Sequence, residues 1–284
     1  MDKGQRTLVI TGGSSGIGKA TASLFCERGW RVFELSRHGA KESKVMSAEV
    51  QKCKSAEVQK AAGEIMHITC DVCSEESCRT AIGEVLRQTD RIDVVISNAG
   101  YGISGPIEFT EIADAEHQMD VNFMGAVRFT QAVLPQLRRQ RYGRIIYTSS
   151  VAGVLAVPYQ AFYSASKAAV NAMALALANE VREFGITVSV LMPGDVSTGF
   201  TDARRKSSAG AEIYRHSEQA ITAMEKDERG GMEPRKMAAL FYHIATCRNP
   251  RPQYVGGLLY RTFCFLNNIL PTRLVNRIEG KMYS

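Results

Sequence analysis

The sequence predicts one α/β domain: a doubly wound parallel sheet of six or seven strands with helices on both faces. Three observations carry this expectation. Short runs rich in Val and Ile alternate with longer stretches of helical periodicity along most of the chain. A glycine-rich turn joins the first such run to the first helical stretch. No stretch rich in Gly, Pro or Ser marks a second domain, so residues 1–284 read as a single unit.

Taken in order, residues 7–11 (TLVIT) form the first expected strand and residues 17–28 the first helix, which Gly29 stops. Further strands are expected at residues 31–36, 65–71, 92–97, 143–149 and 186–192. Helices fall between them, notably over 116–139 and 163–184. Residues 199–233 are polar, with Tyr214, Ile221 and Met224 as apolar points and Gly230 and Gly231 as a hinge, which suits a cover over a site. Residues 250–284 form a C-terminal extension whose apolar stretch runs from Leu258 through Phe265 to Pro271. The hexapeptide SAEVQK occurs at 47–52 and again at 55–60. A spacing of eight residues leaves ~80° beyond two helical turns, so the copies cannot share one face of a continuous helix. A surface duplication in the second crossover is expected, with no part in catalysis.

Composition narrows the class. Hydrophobic residues make up 45% and charged residues 23%, enough apolar mass for a sizeable core. No apolar run reaches the ~18 residues of a transmembrane helix. The polar first residues lead straight into the first strand without a secretory signal, and a cytoplasmic protein is expected. The seven cysteines are an odd, scattered set that reads as reduced thiols. Cys70, Cys73 and Cys78 lie close in sequence, but no second Cys or His pair follows at a zinc-like spacing, so no metal is expected. The net charge of +6 favours anions, a phosphorylated cofactor included, yet the basic residues are dispersed and no nucleic-acid partner is expected.

Residues 11–18 read TGGSSGIG between strand and helix. Gly12 permits a tight turn, Gly16 lets the backbone approach a pyrophosphate, and Gly18 lets helix and strand pack. The phosphate would sit on the amides of the helix N-terminus. Downstream come Asp71 and Val72 after the third strand, and Asn98-Ala99-Gly100 after the fourth. Asn122, Ser150, Tyr163 with Lys167, and then Pro193-Gly194, Val196 and Thr198 follow in turn. In this order, with the spacing TGxxxGxG, residues 7–200 resemble the short-chain dehydrogenase/reductase family.

That resemblance implies a Rossmann-type fold and an NAD(P)-dependent enzyme that interconverts an alcohol and its carbonyl. It implies that Gly12, Ser14, Ser15, Gly16, Ile17 and Gly18 hold the pyrophosphate and that Asp71 and Val72 meet the adenine. It places Asn98, Ala99 and Gly100 on the adenosine side, and Pro193, Gly194, Val196 and Thr198 against the nicotinamide. Asn122, Ser150, Tyr163 and Lys167 correspond to the family's catalytic set. Ser97 stands where many members carry a further Asn, a departure expected to be harmless.

The residues themselves support that chemistry. Tyr163 and Lys167 are four apart on a predicted helix and therefore share a face. A free tyrosine, with a pKa of ~10, is a poor base at neutral pH. The Lys167 ammonium is expected to lower it. Ser150 can hydrogen-bond the substrate oxygen. By the resemblance, Lys167 also holds the nicotinamide ribose, and Asn122 holds a water that links Lys167 to solvent. The competing reading is a cofactor-sensing regulator on the same fold; the presence of both Tyr163 and Lys167 favours an enzyme.

Ser36, Arg37 and His38 end the second strand where NAD-preferring members carry an acidic residue. No carboxylate there repels a 2′-phosphate, and Arg37 can pair with one, so NADP(H) is favoured over NAD(H). Glu34 shares a strand face with Ser36 and is a competitor. The apolar tail resembles that of members grouped with hydroxysteroid, retinol and acyl-dihydroxyacetone-phosphate reductases, which implies a steroid, retinoid or lipid-like substrate. The same stretch also reads as a packing helix or a subunit contact. With Arg261, Arg273 and Arg277 beside it, a peripheral membrane contact is a third reading. The small residues Ala165, Ala168, Ala169, Ala172 and Ala176, with the helix over 116–139, resemble the paired helices through which members associate. A homodimer or homotetramer is expected.

Overall fold

Thr7–Thr11 (β1) and Val94–Ser97 (β4) are short apolar runs buried along their whole length, as central parallel strands must be. Around them the computed structural model describes residues 4–38 and 63–282. The first half of the chain adds α1 (Gly16–Glu27), β2 (Arg31–Ser36), β3 (Glu64–Thr69) and α2 (Glu75–Gln88). After β4 come a short β5 (Ile103–Ser104), α3 (Ile112–Met119), α4 (Gly125–Gln140) and β6 (Gly143–Thr148). Next are α5 (Ala161–Glu180), β7 (Ile186–Pro193), α6 (Phe200–Ala203) and β8 (Arg205–Lys206). The chain closes with α7 (Ser217–Arg229), α8 (Pro234–Thr246), β9 (Gln253–Gly256), α9 (Leu258–Ile269) and α10 (Thr272–Met282). Both copies of SAEVQK lie outside the described residues.

Seven strands form one sheet in the order β3-β2-β1-β4-β6-β7-β9, and every pairing in it is parallel. Alternation divides the side chains between two layers. Val9, Phe33 and Val95 face α2, α4 and α5, where they meet Ile82, Phe129 and Val170. Leu8, Ile10 and Ile96 face α1 and α8, where Phe25, Trp30 and Phe241 fill the second layer. Strand order reverses between β1 and β4, so their carboxyl ends flank the crevice in which such sheets bind ligands.

Several elements differ from expectation. The helix expected over 116–139 is broken into α3 and α4 by a π-helical turn, Asp120–Met124. The widened turn carries the buried Asn122 inward. The helix expected over 163–184 starts earlier, and its last residues form a separate 3₁₀ turn, Arg182–Phe184. β3 stops before Asp71 because the start of α2 takes that residue's backbone. Asp71 N donates to Ser77 Oγ (2.9 Å), and Asp71 O accepts from Ser74 N (3.1 Å). The seventh strand, β9, comes from the stretch that had read only as the approach to the apolar tail; it pairs with β7.

Gly230 and Gly231 do not stand free as a hinge. Gly230 ends α7, and a Cβ on Gly231 would lie 2.5 Å from the Asp195 backbone. Met232 N donates to Asp195 O and Met232 O accepts from Ser197 N, both at 2.9 Å. The cysteines among the described residues are free thiols. Cys73 lies near His117 and Asp120, with one potential ligand atom of each within 4.8 Å of the others, while Arg128 Nη2 holds the Asp120 carboxylate at 2.6 Å.

Candidate active site

The phosphate turn follows from its glycines. Gly12 (φ 65°) and Gly16 (φ 51°) occupy the left-handed region, which side chains disfavour. Ser15 precedes α1 in an extended conformation, with its side chain exposed and forming no cap. Among the described residues no side-chain hydrogen bond to the first-turn amides of α1 is seen. Asn98 ties three strand ends together. Its Nδ2 donates to Thr11 O (3.2 Å) and Gly12 O (3.1 Å), and its Oδ1 accepts from Thr148 Oγ1 (3.1 Å). Thr11 Oγ1 in turn accepts from Asn98 N (2.9 Å) and Ala99 N (3.1 Å). A glycine-walled helix N-terminus with uncapped amides fits a dinucleotide pyrophosphate.

Beneath the turn, Glu34 is buried, and its carboxylate is hydrogen-bonded to His67 Nδ1 at 2.6 Å. A Cβ on Gly13 would lie 2.6 Å from Glu34 Cγ, so this glycine is small for a reason the motif alone does not show. Ser36 Oγ donates to His38 O (2.9 Å), and Arg37 is exposed, with no ion pair among the described residues. Asp71 is half-buried and accepts from Cys73 N (2.9 Å); Val72 O accepts from Arg128 Nη1 (3.3 Å).

A cavity of about 1430 Å³ opens at the carboxyl ends of β1, β4, β6 and β7. Gly12, Ser15, Gly16, Ile17, Asn98, Ala99 and Gly100 line it. Ser150, Tyr163, Lys167, Pro193, Gly194, Val196 and Thr198 line the same cavity. Ser14, Gly18, Ser36, Arg37, Asp71 and Val72 lie outside its wall, as does Asn122.

Ser150 starts a 3₁₀ turn, its Oγ accepting from Ala152 N at 3.1 Å. Tyr163 lies in the first turn of α5, and Lys167 stands one turn further on the same face. Lys167 Nζ donates to Thr148 O (3.0 Å) and lies 5.7 Å from the centroid of the Tyr163 ring. Burial pushes the Tyr163 hydroxyl up to about 12; the Ser150 hydrogen bond opposes this, the Glu228 charge adds to it and the Arg204 charge opposes it. Burial also brings Lys167 down to about 8. Tyr163 is thus raised rather than lowered as expected, because desolvation dominates at both groups and Lys167 is not among the groups that shift it. At neutral pH Tyr163 is protonated and set to act as an acid.

A bound nicotinamide would supply the hydride. Tyr163 and Ser150 can then meet one substrate oxygen, Tyr163 giving its proton and Ser150 a hydrogen bond as charge develops there. Asn122 stands behind this pair. Its Oδ1 accepts from Tyr101 N (2.9 Å), and its Nδ2 donates to Tyr101 O (3.0 Å) and Ser166 Oγ (3.0 Å). Both amide donors are engaged, so the side chain fastens the loop after β4 to α5.

Residues from α6 and α7 complete the wall. Glu228 accepts from Thr201 Oγ1 (2.7 Å) and pairs with the buried Arg204, which joins α6 to α7. Sequence reasoning had missed Asp195 and Tyr260. The Tyr260 hydroxyl donates to the Asp195 carboxylate and fastens α9 across the cavity. A Cβ on Gly194 would lie 2.5 Å from Tyr260 Cγ, so that glycine also makes room for the ring. Asp195 lies between Gly194 and Val196, at a place the resemblance left unassigned, where no motif could have marked it.

Comparison with known proteins agrees with this geometry. Residues 6–209 match the family model described as short chain dehydrogenase. The chain is 36% identical to a 3-ketodihydrosphingosine reductase of Bacteroides thetaiotaomicron over 272 residues, covering 94% of each chain. It is 35% identical to retinol dehydrogenase 8 of Bos taurus over 200 residues, which are 69% of this chain and 60% of that protein. Among solved structures, a short-chain dehydrogenase from Streptomyces avermitilis superposes with a TM-score of 0.78 at 25% identity, covering 99% of this chain and 96% of that one. The chain therefore belongs to the short chain dehydrogenase family and is an NAD(P)-dependent oxidoreductase.

Proposed function

We propose that the protein is an NADP(H)-preferring reductase of long or bulky lipid-like ketones, acting on the corresponding alcohols in reverse. The observation that carries this reading is the cavity itself. Ser150 and Tyr163 share it with Leu155, Val157, Phe263, Leu266 and Leu270, so the reacting oxygen would sit beside room for an extended apolar body. Two of the similar proteins bear the names of a sphingoid-ketone reductase and a retinol dehydrogenase, both lipid-like substrates. Ser36 and Arg37, which has no ion pair among the described residues, support a 2′-phosphate, and Glu34, the competing carboxylate, is turned to His67 under the phosphate turn. The exposed small residues Ala165, Ala168, Ala172 and Ala176 on α5 support association through that helix, since the C-terminal helices do not cover them.

The test is a panel of ketones of increasing chain length, with retinoid and steroid carbonyls, assayed with NADPH and NADH. A rise of kcat/KM with apolar length, and a preference for NADPH, is expected. A flat response to chain length would refute the lipid-like assignment, and equal use of both cofactors would refute the preference.

A further inference from the structure

The two C-terminal helices have an inside and an outside, and the outside is unusual. In α9, Tyr260, Phe263 and Asn267 face the cavity and Cys264 is buried. On the opposite face, at 100° per residue, Leu258 falls on one stripe with Phe265 and Ile269; Leu258 is the first residue of the helix and also reaches the cavity rim. These three are 81%, 63% and 60% exposed, whereas an ordinary surface helix turns polar groups to water. In α10, Val275 and Glu279 face the cavity, and Leu274 and Ile278 form the next stripe outward, both exposed. Beside that stripe lies a third, with Arg273, Arg277 and Lys281 at successive fourth positions.

We propose that this face of α9 and α10 is a docking surface for an anionic lipid bilayer. Its charge complements such a partner. Arg261, Arg273, Arg277 and Lys281 are the basic residues of the two helices, all exposed. Glu279 is their one acidic residue; it lines the cavity, with a buried carboxylate oxygen that has no partner among the described residues. An apolar stripe beside a row of cations matches acyl chains beneath anionic headgroups. Apolar side chains also link the outer face to the cavity, because Leu258, Leu259 and Ile278 are exposed and line the cavity wall. A lipid-like ketone could pass from bilayer to Tyr163 along that wall without crossing water. A second copy of the chain fits this face less well, since a two-fold contact would set its basic row against itself.

The full chain is incubated with phosphatidylcholine vesicles, with and without phosphatidylglycerol, and sedimented. Binding is expected to the anionic vesicles, weakening as salt is raised. Phe265→Glu combined with Ile269→Glu should lower binding at least tenfold, as should Arg273→Glu combined with Arg277→Glu. None of these four residues lines the cavity, so turnover of a small water-soluble ketone should stay at the wild-type level and report intact folding. Binding is read without turnover, so it fails or succeeds separately from the substrate assignment. Failure of the wild-type chain to bind anionic vesicles would overturn the proposal, as would equal binding by the variants. A fall in mass by light scattering in the variants, with unchanged vesicle binding, would assign the face to self-association instead.

Discussion

Replacing Gly18 by Ala adds one methyl group at the point where α1 meets the phosphate turn. The new Cβ would lie 2.7 Å from Asn98 Nδ2 and 2.9 Å from the Gly12 carbonyl carbon, with the carbonyl oxygen nearer still. Two of those atoms are backbone and cannot swing away, so the helix must retreat from the turn by roughly 1 Å in a close-packed site. Overpacking of this kind costs about 1–3 kcal/mol, against which the better helix propensity of Ala returns at most about 1 kcal/mol. The same retreat strains the Asn98 bridge to Gly12 and moves the first-turn amides away from a bound phosphate. Losing one such charge-assisted bond, worth about 1.5–3 kcal/mol, weakens dinucleotide binding about tenfold to a hundredfold. Gly83 is the control: it lies inside α2, and a Cβ there meets nothing within 4 Å. Gly83→Ala should instead stabilise the protein by about 0.5–1 kcal/mol and leave cofactor affinity unchanged. Calorimetric titration with NADPH and scanning calorimetry of both variants read the two effects. Wild-type affinity in Gly18→Ala would refute the geometric argument.

Two further predictions use the charges of the site. Arg37→Asp should weaken NADPH binding and improve use of NADH, because a carboxylate replaces the proposed partner of the 2′-phosphate; unchanged kcat/KM for both cofactors would remove Arg37 from that role. Lys167 is held near 8, below its ordinary 10.5, so between those values the unfolded chain binds a proton that the folded chain does not. Stability should therefore rise with pH across that window, by up to about 3 kcal/mol. Urea unfolding of wild type and Lys167→Met tests this: the wild type should gain on the variant from about pH 8 upward, and a constant gap would contradict the burial of an ionisable lysine.

Much of the architecture was legible because burial leaves a mark on composition. Strands covered on both faces, such as Val94–Ser97, can tolerate little but apolar side chains, and they read directly from the sequence. β9 did not, since its QYVG is short, partly exposed and defined by pairing with β7 rather than by its own residues. The π-helical turn at Asn122 was equally hidden, because the phase shift of one extra residue is confined to a single turn between two short helices and is too brief to read from apolar spacing. In the site, Tyr163 and Lys167 were legible through their four-residue spacing, but the direction of the tyrosine shift was not, since it depends on desolvation by the surrounding fold. Glu34 was placed on the correct strand face, yet its commitment to His67 needed the register of β2 with β3. The apolar character of the tail was plain, whereas its division into a cavity wall and an exposed face required both helices in place.

The most direct test of the central claim is Tyr163→Phe, which keeps the ring in the cavity wall and removes only the hydroxyl proposed to give the proton. Ketone reduction and dinucleotide affinity are measured on the same preparation. Loss of a positioned general acid should lower kcat about 10²–10⁴-fold while the dissociation constant for NADPH stays near that of the wild type. A variant that keeps more than about a tenth of the wild-type kcat would contradict the assignment of Tyr163 and the mechanism built on it.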